Sequence, residues 1–271
     1  MSPWATVVRY AVQESLRRRV FAVVLVLTGL FLAVYTATAL AIFGGLDDFA
    51  ADERAAVGTG LLGFAMFVVL FLGATLAIFL TIGTVRGDAE RGLLQPLVVR
   101  PLGRTQLLGA RLTAAAAMSG GYVVAFFVVL VLLTGAVGRW FPDAVLGAGL
   151  GLVGAVLVVC ALSLLGSTFL TATANGIAVF MLFGAGLAAA LLHQLALGLD
   201  SATLRSASEL AGWLLPFMAL YLASLGSLGP DIDAADLLGG PGGGVELALW
   251  TLLYLSLLAA GARAAFLRRD L

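Results

Sequence analysis

Long runs without a charged residue constrain this chain more than any other feature. Residues 20–46 are uncharged for 27 positions, 55–85 for 31 and 112–138 for 27, while 144–199 is interrupted only by His193. A bilayer core takes about 20 residues of helix, and only helices or closed barrels satisfy their backbone groups in lipid. The runs are continuous and do not alternate, so we predict helices.

The expected fold is therefore an all-α polytopic membrane protein with six transmembrane helices in a single domain, 1–271. Hydrophobic residues make up 62% of the chain, against about 45–50% in soluble domains. Charged residues make up only 11%, against about 25% in soluble domains. The predicted spans are 20–44, 56–85, 110–137, 144–169, 173–197 and 245–266.

The arginines predict an orientation. Six spans leave only Arg54, Arg139 and Arg205 on the side opposite the N-terminus. The positive-inside rule makes the arginine-rich side cytoplasmic, so both termini are expected in the cytosol. A seventh span at 210–230 would spoil this division, so 205–230 is predicted as a re-entrant segment or helical hairpin on the outer side. The twelve cytoplasmic arginines are 9, 17, 18, 19, 86, 91, 100, 104, 111, 263, 268 and 269.

Residues 4–19 have the pattern of an amphipathic helix. Arg9 and Arg17 fall on one side, with Glu14 beside them, and Trp4 falls on the other. Such a helix lies in the headgroup plane with its apolar side down. The alternative is a plain basic flank to the first span.

Several chemistries are excluded or unsupported. There is no lysine among the 15 basic residues, so the chain cannot form a standard phosphate-binding P-loop, whose lysine reaches the nucleotide phosphates. The single histidine, His193, excludes a two-histidine zinc helix, and Ser119 and His193 are an unsupported protease pair. The lone Cys160 makes no internal disulfide. We therefore expect no catalytic residue, cofactor or metal, and no nucleic acid partner.

Small and weakly polar residues gather in the fourth and fifth spans. Gly147 and Gly151 form a GxxxG motif, which Gly154 follows. Small faces allow close helix packing, and hydroxyl groups can bond between helices. Packing is the preferred interpretation, and a polar translocation lining is the alternative. The polar members are Ser163, Ser167, Thr168, Thr171, Thr173 and Asn175.

The loop 86–104 concentrates charge between two apolar runs. Asp88 and Glu90 suit the start of a short helix, and Leu93, Leu94 and Leu97 could share one face of it. An apolar face of this kind suits docking into a groove on a cytosolic partner. A positively charged connector lying on anionic lipid is an equal alternative on these grounds.

This loop also resembles a known family. The stretch "GDAERGLLQPLVVRPLGRTQLLGAR" is similar to the signature of ABC-2-type permeases, the membrane subunits of ABC exporters, in particular the six-span branch that includes the nitrous oxide reductase maturation permease. The N-terminal stretch "VRYAVQESLRRRVFAVVLVL", "WLLPFMALY" and "AFLRRDL" also resemble that branch. The matching loop positions are Gly87, Gly92, Leu94, Pro101, Arg104, Leu108 and Gly109.

The resemblance implies a mechanism. Two permease subunits, here a homodimer, would pair with two cytoplasmic ATPase subunits that bind ATP and magnesium, in the plasma membrane of a bacterium or archaeon. The loop 86–104 would be the coupling helix. A non-transporting membrane scaffold that uses the same loop is the alternative function. The implied coupling residues are Asp88, Glu90, Arg91, Leu93, Leu94, Leu97, Arg100 and Arg104.

Overall fold

The computed structural model describes residues 9–10, 12–13, 19–45, 51–82, 104–142, 144–228 and 244–267. Within these ranges all regular secondary structure is helical. The helices are α1 (Arg19–Gly44), α2 (Ala51–Thr81), α3 (Arg104–Gly138), α4 (Val145–Phe169), α5 (Ala172–Gly198), α6 (Ala202–Leu214), α7 (Pro216–Gly226) and α8 (Val245–Leu267).

Within the described ranges, six helices are long and apolar enough to cross a membrane, as the uncharged runs predict. They are α1 to α5 and α8, and the prediction of an all-helical, membrane-embedded fold is confirmed at this level. The predicted outer segment 205–230 contains two helices, α6 and α7, which meet at Leu215 with a bend of 97°. This bend has a local cause, since Pro216 at the start of α7 has no backbone N–H to continue α6.

Two helices begin earlier than hydropathy suggests. Helix α2 starts at Ala51, and its first turn contains Asp52 and Glu53. These carboxylates lower the hydropathy there but suit the positive end of the helix dipole. Helix α3 starts at Arg104, which the sequence assigns to the coupling loop. Hydropathy therefore locates the lipid-facing part of a helix but not its polar extension.

The long helices run alternately between two ends of one bundle. We call the end where α1 begins the near end and the end where it finishes the far end. At the far end, a Cβ built on Gly138 of α3 would lie 2.6 Å from the ring of Phe43 of α1. At the near end, a Cβ on Gly176 of α5 would lie 2.5 Å from Ile82, just after α2. A Cβ on Gly58, early in α2, would lie 2.5 Å from the ring of Trp140, just after α3, so α2 starts at the far end. The near end is therefore the end at which α2 finishes and α3 starts.

The core lies where α2, α3 and α4 meet, and it is closed by α7. Helix α2 contributes more of the large, fully buried side chains than any other described helix, among them Leu62, Met66 and Leu70. By contrast, α1 and α8 lie at the edge of the bundle. In the most apolar 18-residue stretch of each helix, only 17% is buried inside the protein. Their exposed faces carry leucine and valine, as is expected of surfaces that face lipid.

Two buried hydroxyl pairs attach α1 to α3. The Thr28 and Tyr122 hydroxyls lie 2.6 Å apart, and those of Tyr35 and Thr134 lie 2.5 Å apart. Thr28 and Thr134 also donate to carbonyls one turn earlier in their own helices, each at 2.8 Å. The tyrosine hydroxyl is therefore the donor in each pair. These bonds hold a helix that has little other packing.

Candidate functional site

The residues predicted to contact the cytoplasm lie mostly outside the described part of the chain. This holds for Trp4, Glu14 and Arg17 of the N-terminal segment, whereas Arg9 is helical and exposed. It also holds for the coupling residues Asp88, Glu90, Arg91, Leu93, Leu94, Leu97 and Arg100. Arg104 is the first residue of α3, so it begins a helix that continues through the bundle.

The GxxxG face of α4 is a packing surface for α7. A Cβ on Gly151 would meet the Ser224 hydroxyl and would lie 3.0 Å from the Leu220 carbonyl oxygen. A Cβ on Gly154 would lie 3.3 Å from the Leu220 side chain. Since Leu220 precedes Ser224, α7 runs antiparallel to α4, from the middle of the bundle to the far end. The packing interpretation of these glycines is confirmed.

The polar residues at the turn between α4 and α5 also join helices. The Asn175 side-chain amide donates to the Ser163 carbonyl oxygen at 2.8 Å, and its own oxygen lies where a Cβ of Gly166 would be. Thr171 caps α5 by accepting from the Ala174 N–H at 3.4 Å. Asn175 is completely buried, so it contributes to the α4–α5 contact and not to an open lining.

An apolar groove lies between α2 and α5 at the near end. Its volume is about 630 Å³, and its lining includes Phe79, Ile82, Phe180 and Met181, with Thr173 as a polar residue among them. The Phe79 and Phe180 rings meet edge to face, with centroids 6.5 Å apart. We call this the near groove.

A second groove, of about 340 Å³, lies further along α5 towards the far end. Leu187, Leu191 and Gln194 of α5 line it together with Met218 and Leu222 of α7. We call it the far groove. Between the two grooves, the ring of Phe183 of α5 stacks on Phe217 of α7 with centroids 5.4 Å apart and planes at 8°.

The linings of the two grooves are mainly apolar, and neither contains a charged residue. Such surfaces favour an apolar or amphiphilic ligand, since binding removes carbon surface from water. Within the described residues, no three His, Cys, Asp or Glu side chains come together as a metal site would require. Ser119 donates within α3 to Ala115 at 2.8 Å, and His193 contacts the Ser208 hydroxyl at 3.1 Å. Each thus has its own hydrogen-bond partner.

No model of a known protein family matches this chain, and no characterised protein matches it.

Sequence reasoning missed the grooves and the residues that divide them. Phe183 and Phe217 belong to different helices and are 34 positions apart in the chain. Each phenylalanine lies in a long apolar run, where an aromatic residue is common and indicates no particular contact. The one signal was Pro216, which lies in an uncharged run that was otherwise long enough to span. A proline indicates that a helix breaks there, but not which other helices the break lies against.

Proposed function

We propose that this chain is the membrane-spanning permease subunit of an ABC-2-type exporter. It moves a substrate by alternating access, driven by ATP hydrolysis on a separate ATPase subunit. The observation that carries the proposal is the family-like stretch at 87–111. It follows α2 and continues into the start of α3 at Arg104, and both helices are long enough to span. A charged connector at that point of a six-helix bundle is where an ATPase would transmit movement to the membrane.

The proposed assembly contains two copies of this chain and two cytoplasmic ATPase subunits, which hold the ATP and magnesium. The near end faces the cytosol of a bacterium or archaeon, together with both termini. Arg9 and Arg104 both support this orientation, since the positive-inside rule favours arginine on the cytoplasmic side. The coupling residues are those named from the resemblance, and the segment 4–19 is a second contact at the membrane surface.

The near groove supports an apolar or amphiphilic cargo. It lies at the end proposed to be cytoplasmic, and its large lining residues are phenylalanine, isoleucine and methionine. A carboxylate or ammonium group in such walls would lack a partner, and an unpaired charge in an apolar site is strongly unfavourable. The apolar part of the cargo therefore lies in the groove, and any charged head remains in water.

The first test is association. A tagged chain extracted in mild detergent should co-purify with an ATPase, encoded beside it. The double variant Leu94→Asp/Leu97→Asp should lose that ATPase and still insert in the membrane. The matched control, Gln95→Asp/Val99→Asp, adds the same two charges to the same loop but away from the predicted apolar face, and it should retain the ATPase. The coupling assignment is wrong if both variants behave alike, and the permease proposal fails if the unmodified chain recovers no ATPase.

The second test separates an exporter from a scaffold. An exporter reconstituted with its ATPase should hydrolyse ATP faster when an apolar amphiphile is added, and Ile177→Asp in the near groove should abolish that stimulation while the complex stays intact. Gly184 lies on α5, where a Cβ would have no atom within 4 Å, so Gly184→Ala is the control. A complex that forms but does not respond to any amphiphile supports the scaffold.

A further inference from the structure

The break between α6 and α7 leaves carbonyl groups that need donors. In an unbroken helix the Leu214 carbonyl would accept from the Met218 N–H. Here that N–H bonds to the Leu215 carbonyl at 3.3 Å, because Leu215 has a non-helical backbone, with φ −126° and ψ 66°. A carbonyl without a partner is costly in an apolar environment, so the last turn of α6 requires donors from elsewhere.

Helix α8 supplies them. The Trp250 indole N–H donates to the Trp213 carbonyl at 3.1 Å, and the Tyr254 hydroxyl donates to the Leu214 carbonyl at 2.8 Å. Because Trp250 and Tyr254 are four positions apart, they lie on one face of α8. The Trp213 and Trp250 rings also meet edge to face, with centroids 5.1 Å apart. We call these two hydrogen bonds the α8 clamp.

The clamped break lies at the middle of the bundle. Phe217, two residues after Leu215, stacks on Phe183 and covers Gly186, where a Cβ would lie 2.5 Å from its ring. Positions 183 and 186 are close to the midpoint of the 27-residue α5. Along α5, Phe183 comes after the residues of the near groove and before those of the far groove. The Phe183–Phe217 stack is therefore the divider between the two grooves.

We infer that Trp250 and Tyr254 are positioning residues that hold the divider in place. They act through the carbonyls at the end of α6, which fix where α7 begins and hence where Phe217 lies. A shift of α8 would move both donors together, and the divider would follow. The inference rests on the proposed function only in treating the two grooves as parts of one pathway, with α8 controlling whether they join.

The test measures access to the far side of the divider. Met218 is 6% exposed and lines the far groove. In the full chain with Cys160→Ala, in lipid nanodiscs, Met218→Cys is labelled with a water-soluble maleimide. Adding Trp250→Phe and Tyr254→Phe should raise the labelling rate about tenfold, the factor expected when two ordinary hydrogen bonds no longer oppose opening. Tyr254→Phe removes only the hydroxyl, whereas Trp250→Phe also removes part of the indole ring that packs on Trp213, so the Tyr254→Phe single variant isolates the loss of a donor.

Controls separate positioning from general loosening. Tyr221→Phe removes a hydroxyl that donates to the Gly63 carbonyl at 3.3 Å on α2, and it should change the rate by less than about twofold, since this longer bond does not reach the break. A second probe, Ala148→Cys, is at a fully buried site on α4 and should remain protected in every variant. If the double variant does not fold, each single variant should give a smaller rise.

Two results would overturn the inference. One is an unchanged labelling rate at Met218→Cys when the donors are removed. The other is an equal rise at Ala148→Cys, which would mean that the whole bundle loosens. Neither measurement requires an ATPase, so the outcome is independent of the association test. A chain without an ATPase partner could still have the clamp, and a true permease could lack it.

Discussion

The two glycines of the GxxxG motif on α4 differ in what a methyl group would meet, and this difference gives a sharp prediction. A Cβ on Gly151 would contact the Ser224 hydroxyl and would lie 3.0 Å from the Leu220 carbonyl oxygen and 3.3 Å from Ser224 Cβ. A Cβ on Gly147 would lie 3.9 Å from its nearest neighbours, both in Ser227, which is an ordinary contact. Gly151→Ala should therefore destabilise the protein, and Gly147→Ala should not.

The magnitude follows from two opposing effects. Overpacking a tight contact costs about 1–3 kcal/mol, and here α7 must move because the Leu220 carbonyl belongs to its backbone. Replacing glycine by alanine within a helix contributes up to about 1 kcal/mol in the other direction. Because a backbone segment must shift, we take the upper part of the overpacking range, about 2–3 kcal/mol. Subtracting about 1 kcal/mol leaves a net loss for Gly151→Ala of about 1–2 kcal/mol, or roughly 2–8 °C in Tm at about 2–4 °C per kcal/mol. Gly147→Ala should leave Tm unchanged or slightly higher.

The assay is thermal unfolding of the purified chain in one detergent, followed by intrinsic tryptophan fluorescence. A double-mutant cycle identifies the contact. Ser224→Ala removes the hydroxyl nearest to the new methyl group, although it also removes a bond to the Leu220 carbonyl at 2.7 Å. It should restore part of the loss caused by Gly151→Ala and give a favourable coupling of about 0.5–1 kcal/mol. Equal effects at Gly147 and Gly151, or no coupling with Ser224, would refute this account of the α4–α7 contact.

Two further predictions concern other helix contacts. Gly166→Ala should displace the Asn175 side chain, whose oxygen occupies the space of the new methyl group, and lower the free energy of unfolding by about 1–3 kcal/mol. The matched control is Gly121→Ala, where a Cβ would have no neighbour within 4 Å. Equal Tm values for the two variants would contradict the expectation. Thr28→Val and Tyr122→Phe each break the same 2.6 Å hydrogen bond between α1 and α3. In thermal unfolding, the double variant should therefore be as stable as the less stable single variant, to within about 0.5 kcal/mol. Additive losses would show that the two hydroxyls act independently.

Predictions made from local patterns agree well with the structure. The uncharged runs predicted the six long helices, because each run is itself the part of a helix that can face lipid. The glycines at 147, 151 and 154 were correctly interpreted as packing residues. Close packing depends on the absence of side chains at a fixed spacing, which is visible in the sequence. The coupling loop 86–104 stays a prediction, as do the partners and the orientation that depend on it.

Contacts between helices could not be predicted in the same way. The outer segment was expected as a re-entrant segment or a helical hairpin, and the structure has two helices there that are bent by 97°. What the sequence did not predict is that Trp250 and Tyr254 bind the break between them. These donors lie 37 and 40 positions from the carbonyls that they contact. A tryptophan or tyrosine near the end of a span is equally typical of the membrane interface, so the sequence offers no preference for the role found here.

The sequence by itself determined that this chain is helical and membrane-embedded, and that it lacks the lysine of a nucleotide-binding loop. These properties depend on composition and on spacing along a single helix. Because lipid offers the backbone no hydrogen-bond partners, a long apolar segment must form a helix whatever its neighbours are. Only the tertiary structure decided that α7 lies on the glycines of α4, that Phe217 meets Phe183 between two grooves, and that α8 holds the break beside them. Each of these is a contact between distant segments, and it depends on how whole helices pack.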